Sequence, residues 1–223
     1  MHRTIHPSVL YFGTPVVLVG TRNEDGSSNL APISSAWWLG WNCMLGFGAL
    51  SKTPQNLQRT RVCTLNLPSV AEVGKVDRLA RLTGSDPVPP GKVAKGYTFC
   101  ADKFGASGFG EAQAELVDAP LVKECPVQME AELTMAHPFS PESKGGLVAL
   151  EVRILRVHVK PEILMEGEAN RIDPDQWRPL MMSFCRFYGL GDEVHASRLA
   201  EIPEELYRPA RVQELIDAEV AMR

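Results

Sequence analysis

Asn29-Leu30-Ala31-Pro32-Ile33-Ser34-Ser35-Ala36-Trp37-Trp38-Leu39, the turn Gly40-Trp41-Asn42, and the run Cys43-Met44-Leu45-Gly46-Phe47-Gly48-Ala49-Leu50 form the stretch on which the fold turns. Asn29 to Leu39 is a strand with small and polar side chains where a core strand carries bulk. Asn42 to Leu50 is a second strand, with Cys43, Leu45, Phe47 and Ala49 on one face and Met44, Gly46, Gly48 and Leu50 on the other. Two glycines on one face leave a hollow. A ligand or another backbone approaches there, or the wall of a barrel bends tightly. Ser51-Lys52-Thr53-Pro54-Gln55-Asn56-Leu57 then opens a short helix, Thr53 to Thr60, with Thr53 as its cap and Pro54 at the first helical position. Val62 to Leu67 is strand again.

Upstream, Pro15 to Thr21 is β-branched and continuously apolar, which predicts a strand covered on both faces. Arg22 to Ser28, with Asp25-Gly26 at its tip, is a hairpin loop. Downstream, Ser69 to Leu82 has helical spacing, and the proline-rich Thr83 to Gly96 reads as a surface loop. The glycine-rich loop Asp102 to Gly110 has neither a strand before it nor a helix after it, so a dinucleotide fingerprint is rejected.

Pro126 to Met135 alternates, with Val127, Met129, Ala131, Leu133 and Met135 inward and Gln128, Glu130, Glu132 and Thr134 outward. Gly146 to Lys160 changes parity near Ile154-Leu155, which predicts a β-bulge there. Strands joined by hairpins, with few helices, indicate a closed antiparallel barrel. From Ile172 the pattern changes: Asp173-Pro174 starts a helix towards Tyr188, and Pro203 to Met222 is a second helix with a Val212, Leu215, Ile216, Val220 stripe. This divides the chain into a barrel, 1–171, and a helical extension, 172–223, packed on the barrel or on a partner subunit.

The 223 residues carry a formal net charge of -4, against nucleic acid as the main partner. No apolar run approaches the roughly 20 residues of a membrane span. Five cysteines, odd in number and with no Cys-x-x-Cys pair, are the usage of a reducing compartment, so a cytoplasmic location is expected. His2 and His6 have helical metal spacing but lie at a terminus, and no metal site is expected.

Ser34 and Ser35 stand beside two adjacent tryptophans, and Ser51, Lys52 and Thr53 sit at a strand-to-helix junction, with Asn56 one turn on. Free N–H groups and the helix dipole favour an anion there, although an ordinary cap with a solvated lysine has the same spacing. Hydroxyls, aromatic cover and an anion seat suit a phosphorylated, flat aromatic ligand such as flavin mononucleotide (FMN). Trp37, Trp38 and Trp41 are core, subunit contact or ligand cover. His137 is a surface group or reaches the site.

The order Asn29-Leu30-Ala31-Pro32-Ile33-Ser34-Ser35, Ser51-x-Thr53-x-x-Asn56-Leu57, Cys63-Thr64-Leu65-Asn66-Leu67 and Asp102-Lys103-Phe104 resembles the flavin reductase-like family of FMN-binding split barrels. The run Val117 to Glu124, then Val127-Gln128-Met129-Glu130 and the strand from Gly146 to Val159, extend the likeness over about three quarters of the chain. The resemblance implies a mainly β, six-stranded antiparallel split barrel of Greek-key character with peripheral helices, dimeric, with FMN (or FAD) near the subunit interface. It implies that Pro32, Ile33, Ser34, Ser35, Ala36 and Trp37 line the isoalloxazine ring. Ser51, Lys52, Thr53 and Asn56 would hold the phosphate, and Lys103 and Phe104 would approach the flavin. It further implies a reductase that takes hydride from NADH or NADPH and serves free flavin, oxygen or a partner oxygenase; the alternative is an FMN carrier or sensor without turnover. Two departures stand out. Gly40-Trp41-Asn42 replaces an Asp-Pro-Pro turn, and Lys144-Gly145-Gly146 stands near the place of a Gly-Asp-His motif, which leaves the flavin site better matched than the nicotinamide site.

Overall fold

A computed structural model describes residues 1–140, 142 and 146–221, with side chains to residue 218. Its strands are β1 (Phe12–Pro15), β2 (Val17–Arg22), β3 (Ser28–Ile33), β4 (Ala36–Leu39), β5 (Asn42–Gly48), β6 (Val62–Leu67), β7 (Leu82–Thr83), β8 (Thr98–Phe99), β9 (Glu111–Gln113), β10 (Pro120–Val122), β11 (Val127–Phe139), β12 (Leu147–Val159), β13 (Met181–Ser183) and β14 (Arg186–Tyr188). Its α-helices are α1 (Lys52–Thr60), α2 (Val73–Leu79), α3 (Pro90–Val93), α4 (Lys103–Ser107) and α5 (Ala210–Ala221). Among the described residues no helix is long and apolar enough to cross a membrane.

The main sheet runs β3-β2-β6-β11-β12-β5-β4, antiparallel throughout. Its two outermost strands are consecutive in the chain. Only Ser34 and Ser35 separate them, and the three steps from Ile33 to Ala36 span no more than about 11 Å, so the sheet must curl until its edges approach each other. The single strand expected over Asn29 to Leu39 is therefore two strands, and the sheet has seven strands rather than six. The split has a local cause. Gly46 N donates to Ser35 O at 2.7 Å, and Ser35 Oγ donates to Gly46 O at 2.8 Å. A Cβ on Gly46 would stand 3.0 Å from Ser35 Cβ, so this glycine makes room for Ser35 where the chain crosses between the sheet edges.

Both faces of β2 are covered, as its unbroken apolar run requires. Val17 and Val19 face an interior built from Leu45, Leu65, Leu133, Leu150 and Val152, whereas Val16 and Leu18 pack outward on Leu79, Phe104 and Leu180. The bulge falls where parity changes: Glu130 opposes Arg156 and Ala131 opposes Ile154, which leaves Leu155 unpaired. In β11 the inward set stops at Leu133, and Met135 is 55% exposed after a second irregularity at Thr134. The edge strands β3 and β4 do not pair with each other, so the sheet is curled and not the closed barrel expected; Cys43 and Cys63 lie buried in its interior, where burial pushes both thiols up, Cys43 to about 12. All five cysteines are free.

The helix expected from Asp173 towards Tyr188 does not form. One turn closes at Trp177 N to Asp173 O, and Pro179, which has no N–H to donate, follows. The chain then runs as the hairpin β13–β14, turning at Phe184 and Cys185 with φ of 45° and 62°, and β13 pairs with β1. Leu180, Met182 and Phe187 face the outer core, so period-two burial wins over the cap. Beyond it lie two 3-10 turns and α5. Leu215 is 44% exposed; the side chain of Val220 and the whole of Met222 lie outside the described residues. Helix α1 begins at Lys52 after the extended Ser51, so Thr53 sits in the first turn rather than at the cap. The loop from Asp102 does contain a helix, the five-residue α4, whose Gly105 N bonds Asp102 Oδ1 at 2.8 Å.

Candidate cofactor cleft

A cleft of about 750 Å³ opens along the seam of the curled sheet. One wall is Ala31 to Ser35, where the chain crosses between the sheet edges, and Gly46 and Gly48 belong to the outer face of β5. Ser51, Lys52 and Thr53 line it as well, with Thr83-Gly84 beside Lys52, and Pro89 to Lys92, Lys95 and Tyr97 complete the lining. A Cβ on Gly48 would meet only Ser51 Oγ, at 3.6 Å, so the glycine leaves room beside it on this wall of the cleft.

Against Thr53 lies a polar layer. Lys103 Nζ donates to Asn29 Oδ1 at 3.0 Å, and Asn29 Nδ2 lies 3.0 Å from both Thr53 Oγ1 and Thr21 Oγ1. Asn56 is fully buried and donates to Thr21 Oγ1 and Asn23 Oδ1. Lys103 is only 3% exposed, and burial, helped by the nearby charge of Lys92, brings its ammonium down to about 8. Lys92 reaches Thr83 Oγ1 at 3.2 Å and sits over the Tyr97 ring; burial lowers its pKa too. Lys52, by contrast, pairs with Glu24 at 3.0 Å.

Of the residues singled out from the sequence, Pro32, Ile33, Ser34, Ser35, Ser51, Lys52, Thr53 and Lys103 line the cleft. Four do not. Ala36 points into the core, Trp37 is 57% exposed on the outer sheet face, Asn56 is buried within the polar layer, and Phe104 is buried against Leu18 and Leu79. Lys103 and Phe104 are adjacent in α4, so one side chain reaches the cleft while the other enters the core. Sequence reading missed Thr83, Gly84, Lys92 and Lys95 because they belong to a proline-rich segment, Thr83 to Gly96, that reads as surface loop, and Tyr97 because it lies just beyond that segment. Their one signal was two lysines and a tyrosine in that run.

Among the described residues the cleft is lined by four lysines and no carboxylate, in a chain whose net charge is -4. A second hollow, of about 650 Å³ along Glu111 to Ala119, differs: its Arg22 is already paired with Glu111 and Asp118. In the seam cleft, by contrast, Lys92 and Lys103 have no carboxylate partner among the described residues.

A curled antiparallel sheet with a basic cleft along its seam is the arrangement of a ligand-binding split barrel. The chain belongs to the flavin reductase-like domain family, which matches residues 9–189. The uncharacterized protein YdfE of Bacillus subtilis (strain 168) is 36% identical over 192 residues, 86% of this chain and 91% of that one. Flavoredoxin of Desulfovibrio vulgaris (Miyazaki F) superposes with a TM-score of 0.72 at 21% identity, over 91% of this chain and 100% of its own. An FMN-binding domain of a flavin reductases-like enzyme from Shewanella baltica OS155 superposes with a TM-score of 0.63 at 17% identity, over 82% and 90%. At those identities the two structures speak for the fold alone.

Proposed function

We propose that this protein binds FMN in the seam cleft and works as an oxidoreductase, taking hydride from NADH or NADPH and passing electrons to free flavin, oxygen or a partner oxygenase. The observation that carries this reading is a cleft whose wall includes Gly46 and Gly48, which carry no side chain, and whose described lining has four lysines and no carboxylate. The glycine wall suits a planar ring and the lysines an anion, and the family and the FMN-binding neighbour support the same ligand. Bound flavin would supply the hydride and electron chemistry, leaving the chain to position it and keep water away. Pro32 and Ile33 give apolar cover to the ring, and Lys103 gives fixed charge to the anion. FAD is the larger alternative ligand. A cytoplasmic location suits five free thiols.

The first test is reconstitution with FMN, followed by anaerobic mixing with NADH and with NADPH. The expected result is one FMN per chain and loss of its visible absorption with at least one nicotinamide. Protein that takes up no FMN overturns the reading. Bound FMN that neither nicotinamide bleaches points instead to a carrier or sensor, the reading favoured by the absence of His, Asp and Glu among the described cleft residues.

We also propose a homodimer. The register sets Met135, Glu151, Met44 and Trp37 in one row across β11, β12, β5 and β4, and Phe139, Leu147 and Gly48 in another. Leu39, Phe139, Trp37 and Met135 there are 74%, 61%, 57% and 55% exposed. Such a face left in water forgoes about 25 cal/mol per Å² of burial, and a symmetric pair of copies covers it. Because Gly48 and Leu147 also line the cleft, the partner would wall its open side. Light scattering should give twice the chain mass, and Trp37→Glu with Met135→Glu should give monomers that bind FMN at least about 10-fold more weakly, the loss of one well-packed contact surface. A wild-type monomer holding FMN tightly contradicts the dimer.

A further inference from the structure

We propose that residues 190–218 form an acidic arm that crosses to the second copy of this chain and lies over the lysine-bearing rim of that copy's cleft. The inference rests on the homodimer proposed above and does not require the ligand to be a flavin. The family match ends at Gly189, and the charge divides at the same place. Residues 1–189 hold nineteen Lys and Arg against nineteen Asp and Glu, whereas the chain beyond holds four Arg against eight Asp and Glu, the whole of the net charge of -4. Nearly every residue from 190 to 218 is exposed, Val194, Leu199, Leu206 and Tyr207 among them, and none belongs to a core cluster. Among the described residues the backbone hydrogen bonds of this segment close within it, as from Ala200 N to Ser197 O, and its ion pair with the body is Glu204 to Arg171, at 3.0 Å. The chain exposes 13796 Å², where a compact monomer of 24.5 kDa exposes about 10,100 Å², and an arm lying on nothing contributes to the excess. An obligate homodimer buries about 2,000–5,000 Å² in total, so a second copy can cover such a segment.

The ion pair holds the middle of the arm away from its own cleft. Arg171 O accepts from Met165 N, and this turn follows Ile163, which packs on Leu67, Val127 and Val159 at one end of β12. Leu147, at the other end of β12, lines the cleft. Twelve steps of strand lie between the two ends, up to about 40 Å. A twofold axis running across the strands of the proposed dimer face reverses β12 in the second copy, which brings the held end of one chain towards the cleft end of the other. The two surfaces that then meet are complementary. The cleft lining carries Lys92 and Lys95 and, among the described residues, no carboxylate, with Val93 and Phe99 exposed beside them. The arm sets Glu193, Glu201 and Glu205 among its exposed apolar residues. Opposite charge fixes the register of such a contact, and apolar burial supplies its strength.

The experiment joins carboxylates directly to amines with a carbodiimide, in dimers assembled from equal amounts of full-length chain labelled with light and with heavy nitrogen, and reads the joined peptides by mass spectrometry. Peptides linking Lys92 or Lys95 to a carboxylate of residues 192–217 are expected, and about half of them should pair a light with a heavy chain, the share that random assembly of two copies gives. Leu199→Asn with Leu206→Asn, which weakens the apolar contact, should raise the acetylation rate of Lys95 at least about 3-fold relative to Lys75, which is paired with Glu124 on the body. Linked peptides that never mix the labels, an arm that links only to other lysines, or Lys95 acetylation unchanged by the substitutions each overturn the inference and leave the dimer standing. A chain that scatters light as a monomer overturns the dimer and this inference together, while failure to take up FMN overturns only the flavin reading.

Discussion

Glu130→Ala lowers the unfolding free energy by about 3–5 kcal/mol, the cost of removing one partner from a buried charged cluster. Glu130 is fully buried on the outer side of β11 beneath the 115–117 backbone. Its carboxylate accepts from Glu115 N at 3.1 Å, Leu116 N at 2.6 Å, Val117 N at 3.0 Å and His158 Nε2 at 2.7 Å. Without it, three backbone donors lose their acceptor and must find water. Glu130→Gln keeps the shape but presents an amide N–H to other donors, so it should lose less than alanine and still weaken the fold.

The pH dependence follows from the same contacts. Burial opposes the charge of Glu130, but His158 and the three N–H groups outweigh it and hold its pKa below the usual 4.5. A depressed folded-state pKa means that the contribution is fully present above about pH 4.5 and is lost as pH falls through the lowered value. Urea unfolding at pH 7 and at pH 4 and below should show the wild-type chain losing stability on acidification more steeply than Glu130→Gln. Equal slopes would show that Glu130 is not the responsible group.

Gly20→Ala is the second large effect, about 3 kcal/mol of destabilisation from overpacking. Gly20 lies in β2 between β3 and β6, opposite Leu30 and Thr64. A Cβ there would overlap the Pro120 carbonyl oxygen and Thr64 Oγ1, which are bonded to each other. Neither can retreat cheaply, because Val122 N is tied to Asn66 Oδ1 at 2.9 Å and keeps β10 against the sheet. The adjacent Thr21 hydroxyl receives both Asn29 and Asn56, so any shift of β2 also moves the layer beneath the cleft. Chemical unfolding and FMN uptake should fall together. A variant with wild-type stability would show that the strand yields at this point.

Much of the fold was legible from residue order alone. Period-two alternation and β-branched runs are set by the pleat, a local property, so the continuous burial of β2 and the bulge at Leu155 could be read from parity. The motif order from Asn29 to Phe104 likewise identified the family that matches residues 9–189. Polar patterning put Ser34, Ser35, Ser51 and Thr53 at the cleft, since small and hydroxylic side chains in a strand seldom serve a core. What could not be read is whatever depends on a distant partner. Nothing local says that Asn29 to Leu39 supplies both edges of one sheet, because that follows from closing the sheet on Ser35 and Gly46. Glu130 alternates outward as its neighbours do, yet a loop brought over it turned that face into an interior. Charge was the least legible property. Lys52 and Lys103 are both single lysines in polar stretches, and only the folded chain gave one a carboxylate from Glu24 and left the other buried against Asn29, 74 residues away. A side chain's type travels with the sequence; the charge that answers it is set by packing.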